Sequence, residues 1–337
     1  VGAYIVQRLA LAAVALVGLT VITFTVSHAV PADPLVANLG QQASQRPEIV
    51  AAFRAKWGLD RPLHIQYLTF LRGLAVGNLG VSINTRRSVS KDLAQFLPAT
   101  VELSTIAIFF AIAFGLPLGV LSAVYRDGPI DHIGRLVSLI GVSIPIFWLA
   151  TVSLVIFYAT LNLAPGPGRL GPAIQAPPGV TGFYTLDSLL AGDWATFRSA
   201  LSHLMLPALV LSSSIMGLVT RVTRSSMLEV LSQDFMRTAR AKGLAESTVV
   251  GRHALRNALI PTVTVLGLAF GNLLSGAVMT ETIFAWPGLG RYAFEAAISN
   301  DFPSIMGVTF IIALMYVLAN LAVDVCYGAL DPQIRYA

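Results

Sequence analysis

The chain has 337 residues, 55% of them hydrophobic and only 12% charged, with a mean hydropathy of +0.73. A soluble domain carries about 25% charged residues, so too little charge is available here to cover a water-exposed surface, and lipid must take part of that role. The single Cys326 excludes a disulfide framework or a thiolate metal cluster within the chain, and the net charge of +5, carried mostly in loops between apolar runs, points to membrane topology and not to nucleic acid.

A membrane span takes about 20 mostly apolar residues. The first run that qualifies covers 9–30, with Arg8 ahead of it. It is long for a signal core and lacks a small-x-small cleavage site before the polar segment, so it reads as a retained anchor. The segment that follows, 31–97, is expected outside. In it Glu48 to Trp57 reads as a short amphipathic helix ended by Gly58, and Ile65 to Leu74 as a second apolar-periodic stretch ended by the GNLG of Gly77 to Gly80. Together they suggest a small outside cap.

The second and third spans are expected at 98–124 and 136–161. A second outside loop, 162–203, opens with PGPGRLGPAIQAPPG, which is neither helix nor central strand because proline fixes φ and lacks an N–H. The remaining spans are expected at 204–228, 259–284 and 305–330. Arg221, Arg224, Arg237, Arg240, Lys242, Arg252 and Arg256 surround the loop between the fourth and fifth spans, Arg126 and Arg135 the loop between the second and third, and Arg8 and Arg335 the two ends. The positive-inside rule then puts both termini in the cytoplasm. The fold class expected is an all-α integral membrane protein of about six transmembrane helices. It divides into a first helix (1–30), an outside segment (31–97), a core of five helices (98–330) and a cytoplasmic tail (331–337).

Most of the cytoplasmic mass is the loop 232–258, SQDFMRTARAKGLAESTVVGRHALRNA. It reads as two short helices broken at Gly243, a residue suited to the left-handed position that ends a helix. Ser232 and Ser247 are the expected N-caps, with Asp234 in the first turn where the helix dipole favours it. Phe235, Met236, Ala239 and Gly243 fall on one side at helical spacing, with Arg237 and Arg240 on another. Such a helix offers an apolar strip and charges to a groove on a partner. The residues alone fit equally a solvated basic loop that serves only topology.

The loop resembles the EAA-type coupling loop of ABC importer permeases, in the variant of the dipeptide/oligopeptide/nickel permease family. Arg237, Thr238 and Ala239 stand at the EAA positions, and Leu255-Arg256 where the general motif has Leu-Pro, a departure typical of the peptide branch. TETIFAWPGLGRY (280–292), LPATVELS (97–104), GLDRPLHIQYL (58–68) and ALDPQIRY (329–336) resemble further segments of the same family in the same order. The resemblance implies the permease type with the longer outside segment, paired with a second homologous permease around one translocation path. Two cytoplasmic ATPases would receive the coupling loops through Asp234, Phe235, Arg237, Thr238, Ala239, Arg240, Lys242 and Gly243, and a solute-binding protein would deliver cargo outside. Peptides are the commonest cargo of the family; nickel chelates, glutathione and sugars are its other classes. The chain has no GxxxxGK[ST] loop, so ATP and Mg would belong to the partner subunits, with no cofactor in this chain and no enzymatic activity of its own.

Acids within spans are expensive and are functional hypotheses by default. Glu102 and Asp324 lie near span ends, where hydration or pairing with a neighbouring helix is the plainer reading. Glu281 belongs to the 280–292 segment; a hydrogen bond holding the following turn is its plain reading, the translocation path its sharper one. Gly267, Gly271, Ser275 and Gly276 mark a face for close helix packing, and Asn272 and Ser275 join Glu281 as path candidates. His28, His64, His132, His203 and His253 show no metal-ligand spacing. A membrane enzyme would need convergent polar residues at one depth, and a passive channel would not need the helix–Gly–helix loop.

Overall fold

The computed structural model describes residues 2–29 and 46–330, and among these every regular element is helical apart from one isolated bridge between Val81 and Ser88. Helix α1 covers Gly2–Ala29, α2 Pro47–Trp57, α3 Leu63–Ala75 and α4 Val89–Phe110. A π-helical turn, Ala111–Gly115, leads into α5 (Leu116–Val124), followed by α6 (Pro129–Ser143) and α7 (Ile146–Ser153), which ends in the π-helical Leu154–Thr160. Then come α8 (Tyr184–Leu190), α9 (Trp194–Leu231), α10 (Asp234–Ala241) and α11 (Glu246–Thr248), with π-helical Val249–Ala254 before α12 (Leu255–Gly276). The last elements are α13 (Val278–Ile283), α14 (Leu289–Ile298) and α15 (Phe302–Leu330). The tail 331–337 and residues 30–45 lie outside the described residues.

The chain divides into two compact units, Val1–Thr100 with Pro287–Val317, and Val101–Trp286 with Leu318–Ala337. In the first, the two short helices α2 and α3 form as their residues dictate. Pro47 opens α2, where a missing N–H costs nothing, Glu48 complements its dipole, and Gly58 closes it at φ +66°. The core of this unit joins Leu79, Val89, Leu93, Leu289, Tyr292 and Val308. A buried polar network ties the 82–85 turn to it. Ser82 Oγ donates to Asp301 at 2.5 Å, Thr85 Oγ1 to Asp92 at 2.6 Å, and the Tyr292 hydroxyl bonds Asp92 at 3.2 Å and Ser304 at 2.8 Å. Asp92 and Asp301 are fully buried, so these donors offset what desolvation of the carboxylates costs.

The second unit is built around α9, a helix of 38 residues. Asp193 caps it through Ala195 N–H and Thr196 N–H, so it starts ten residues before the expected span at 204 and takes that stretch out of the loop expected at 162–203. Small residues let α5 and α6 approach it. A Cβ on Gly141 would lie 2.5 Å from the Ser213 carbonyl, and one on Gly217 2.8 Å from that of Ser138, whose own hydroxyl donates to the Gly217 carbonyl at 2.7 Å. Gly141→Val is therefore expected to push α6 off α9 and to destabilise the fold by about 1–3 kcal/mol, the usual cost of overpacking. The check is the temperature at which the detergent-solubilised chain loses its monodisperse elution peak.

Four helical stretches among the described residues are long and apolar enough to cross a membrane: Val89–Val124, Trp194–Leu231, Glu246–Leu273 and Phe302–Leu321. The expected third span is not one straight helix. Pro129–Ser143 and Ile146–Thr160 meet at 103°. Pro145 lacks an N–H for the helix ladder and drives Ile144 into extended backbone, ψ 126°, which ends α6 before α7 can start. Ahead of Pro117 the chain takes the π-helical turn 111–115 and stays helical, and Pro207 and Pro261 sit inside continuous helices. Within α1 a shorter apolar helix, Ala13–Val26, corresponds to the expected first span.

Candidate functional site

Residues 232–258 form a built corner, not a solvated loop. Ser232 does not cap α10; it ends α9, donating its hydroxyl to the Glu229 carbonyl at 2.7 Å, and Gln233 takes the N-cap position without a side-chain bond. Nor does Ser247 cap the next helix, because Ala245 occupies that position one residue ahead of α11. Gly243 behaves as expected. At φ +75° its N–H donates to the Arg240 carbonyl, while the Leu244 N–H reaches back to that of Ala239, the paired bonds of a Schellman stop. The Arg240 guanidinium then bridges the turn to Glu246 with bonds of 3.1 and 2.8 Å.

The expected apolar strip divides in two. Met236 and Ala239 are buried and form one cluster with Ala123, Met227, Val230, Val249, Ala254 and Ala258, which roots α10 on α5, α9 and α12. Phe235 points the other way, 40% exposed, as is Leu244. Residues one apart on a helix lie about 100° apart around its axis, which is why Phe235 cannot share the inward face of Met236. The outward face thus carries Phe235, Arg237, Thr238, Arg240, Lys242 and Leu244, all exposed, with Arg237 holding only a loose 3.4 Å contact to the exposed Asp234.

Two ion pairs with buried carboxylates escape a reading by spans. Asp131, at the start of α6, accepts Arg224 Nε at 2.6 Å and Nη2 at 2.8 Å and the Asp127 N–H at 3.0 Å. This fork fastens the short loop before α6 to α9 one turn above Met227. At the opposite end of α9, Glu102 does not meet a neighbouring span helix. It accepts Arg169 Nη2 from the Pro/Gly-rich loop at 2.6 Å, together with the Thr185 N–H at 2.9 Å and the Thr185 hydroxyl at 2.6 Å. Arg169 also donates to the Gly182 carbonyl and lies 3.5 Å from the Tyr184 ring centroid, with Trp286 at 5.5 Å. Nearby, burial pushes the Asp187 carboxyl up, but donors from Thr181 and Gly182 outweigh it and leave the group below the ordinary carboxylate range.

Among the path candidates, Glu281 is fully buried, and its backbone carbonyl accepts the Trp286 N–H at 2.7 Å, closing the turn after α13. Asn272 is exposed on α12. The side chains of Ser275 and Asp324 lie outside the described residues.

The family described as "Binding-protein-dependent transport system inner membrane component" matches residues 115–336, and its N-terminal component matches residues 2–104. The chain belongs to this family of inner-membrane transport permeases. It is 48% identical to the probable D,D-dipeptide transport system permease protein DdpB of Escherichia coli K12, over 94% of this chain and 93% of that one. It is 41% identical to the dipeptide transport system permease protein DppB of the same strain, over 99% and 98%, and 36% identical to the glutathione transport system permease protein GsiC of Salmonella choleraesuis, over 99% of each. An inward-facing structure of the MetNI methionine ABC transporter shares its fold, with a TM-score of 0.50, 18% identity, and 71% of this chain and 96% of that one covered.

Proposed function

We propose that this chain is one of two permease subunits lining the translocation path of an ATP-driven peptide importer, with the outward face of α10 received in a groove on a cytoplasmic ATPase. The observation that carries the coupling role is the division of 234–244 into a rooted inner face and an exposed outer face of Phe235, Leu244 and cations. A loop that served only topology would need no buried anchor. The peptide reading rests on the relatives named for dipeptides. In this reading both termini and 232–258 are cytoplasmic, 31–97 lies outside facing a solute-binding protein, a second homologous permease completes the path, and two ATPases hold ATP and Mg while this chain catalyses nothing. Asn272, Ser275 and Glu281 stay the path candidates, and the Glu281 backbone carbonyl also closes the 281–286 turn.

Phe235→Ala combined with Arg237→Glu tests the docking face. Both side chains are exposed, so the chain is expected to accumulate and melt as wild type does. Co-purification of the ATPases and ATP-dependent uptake of a dipeptide into proteoliposomes are expected to be lost. Full retention of both would dismiss the docking role.

A further inference from the structure

Within the first unit, a cavity of about 390 Å³ opens between α1, α3 and the start of α15. Its walls are mostly apolar, from Phe24, Leu59, Phe70, Pro303 and Met306, and Arg61 stands at its rim. The depth of the cavity can be read from the sequence. Phe24 closes the apolar stretch Ala13–Val26, and Pro303 and Met306 open the span Phe302–Leu321. Both wall segments therefore sit where hydrocarbon gives way to water. Leu63 and Leu68 on α3 are 56% and 50% exposed, α3 contains no buried residue, and it carries Arg72 as its charged side chain, with no acid. An amphipathic helix with apolar residues outward and a cation beside them is suited to lie in the headgroup layer. Arg61 itself makes no ion pair among the described residues, its neighbour Asp60 included.

We propose that this cavity holds one phospholipid of the bilayer, an acyl chain between Phe24, Phe70 and Met306 and its phosphate against Arg61. Apolar walls suit the chain, and a free guanidinium at the rim suits a phosphate, which it can bind through two parallel N–H donors. A bound lipid would then be a structural part of the joint between the outside helices and the first and last spans. The same position would let membrane lipid composition influence how firmly 46–88 is held.

The test places the assembled transporter in nanodiscs of phosphatidylcholine and phosphatidylglycerol, three to one, as about a 3:1 mixture, doped with phosphatidylglycerol carrying a photoactivatable acyl chain. Adducts are then mapped by mass spectrometry. Thr69 is exposed and bonds only within its own helix, so Thr69→Trp fills the cavity without disturbing the core. Labelling of 66–73 and 302–306 is expected to fall roughly tenfold in Thr69→Trp, and to lose its preference for phosphatidylglycerol over phosphatidylcholine in Arg61→Glu, a tenfold change corresponding to about 1.4 kcal/mol. Labelling at the exposed Val155 serves as the unchanged reference. Equal labelling of cavity and reference in the wild type, or no response to Thr69→Trp, overturns the proposal. So does loss of cavity labelling when the solute-binding protein is added, since the cavity would then belong to that partner.

Discussion

Arg169→Met is expected to lower the stability of the chain by about 3–5 kcal/mol, the usual consequence of stranding one member of a buried pair. Glu102 would lose the Arg169 guanidinium, its only cation among the described residues, while 5% exposed at the side chain, and the two Thr185 donors would be left to satisfy its carboxyl alone. Tyr184 would lose the guanidinium stacked on its ring. The double variant Glu102→Gln, Arg169→Met is expected to recover most of the loss, because a neutral amide and a thioether can share that space without a desolvated charge. Thermal melting of all three variants, read as a double-mutant cycle, checks this. A single variant as stable as wild type would show that the pair holds nothing. The loop 162–183 is the part expected to loosen first, so proteolysis of that segment in intact proteoliposomes gives a second reading.

The second large effect concerns the inner face of the corner 232–258, the element proposed to dock on the ATPase. Ala239→Glu puts a carboxylate where the side chain is 7% exposed, among Met227, Val230 and Val249. Burying such a group without a partner costs several kcal/mol, and the corner unseats to avoid it. ATP-dependent uptake and ATPase association are expected to vanish together, as they would for Phe235→Ala with Arg237→Glu. The distinction lies in hydrogen exchange. Ala239→Glu is expected to expose the amides of 236–250, whereas the surface variant leaves them protected. Gly243→Val belongs with the first kind, since a β-branched residue at φ +75° strains the Schellman stop by about 1–2 kcal/mol. If Ala239→Glu keeps both protection and uptake, Ala239 is not an anchor.

Much of this was legible in the residues. Run length and turn chemistry located the helices α2 and α3, the Gly58 and Gly243 stops and the apolar stretches, because each depends on a few neighbouring residues. The Pro145 break was visible as a proline but not as a 103° reversal, since run length alone counts apolar residues and is blind to the backbone of Ile144. The Asp193 cap sits in plain view immediately before the helix that starts at Trp194, yet the Pro/Gly-rich opening of the loop masks it. The ion pairs are less legible. Arg169 is the only charged residue between 162 and 183, and Glu102 the only one between 98 and 124. Two lone opposite charges in apolar surroundings have reason to find each other, but which fold contact joins them is tertiary information. In the sequence Arg224 is one more cation beside the 232–258 loop, and a count of cations cannot show that one is committed to Asp131. Spacing put Phe235 and Met236 on one strip, although neighbours in sequence diverge around a helix and only packing decides which of the two turns inward.

The helix Trp194–Leu231 has 38 residues, so it measures about 57 Å at 1.5 Å per residue, nearly twice the roughly 30 Å of a bilayer's hydrocarbon core. Near one end Ser199 Oγ accepts the Gly171 N–H of the Pro/Gly-rich loop, and near the other Met227 and Val230 seat the coupling corner. Between them the rod has no break, only Pro207 within it. A push delivered at Met236 therefore arrives at Gly171 as displacement rather than being absorbed on the way. In the coupling role proposed above, a stroke applied to 232–258 by an ATPase and the hold on the Pro/Gly-rich loop would become one mechanical event, with a single stiff member as its timing.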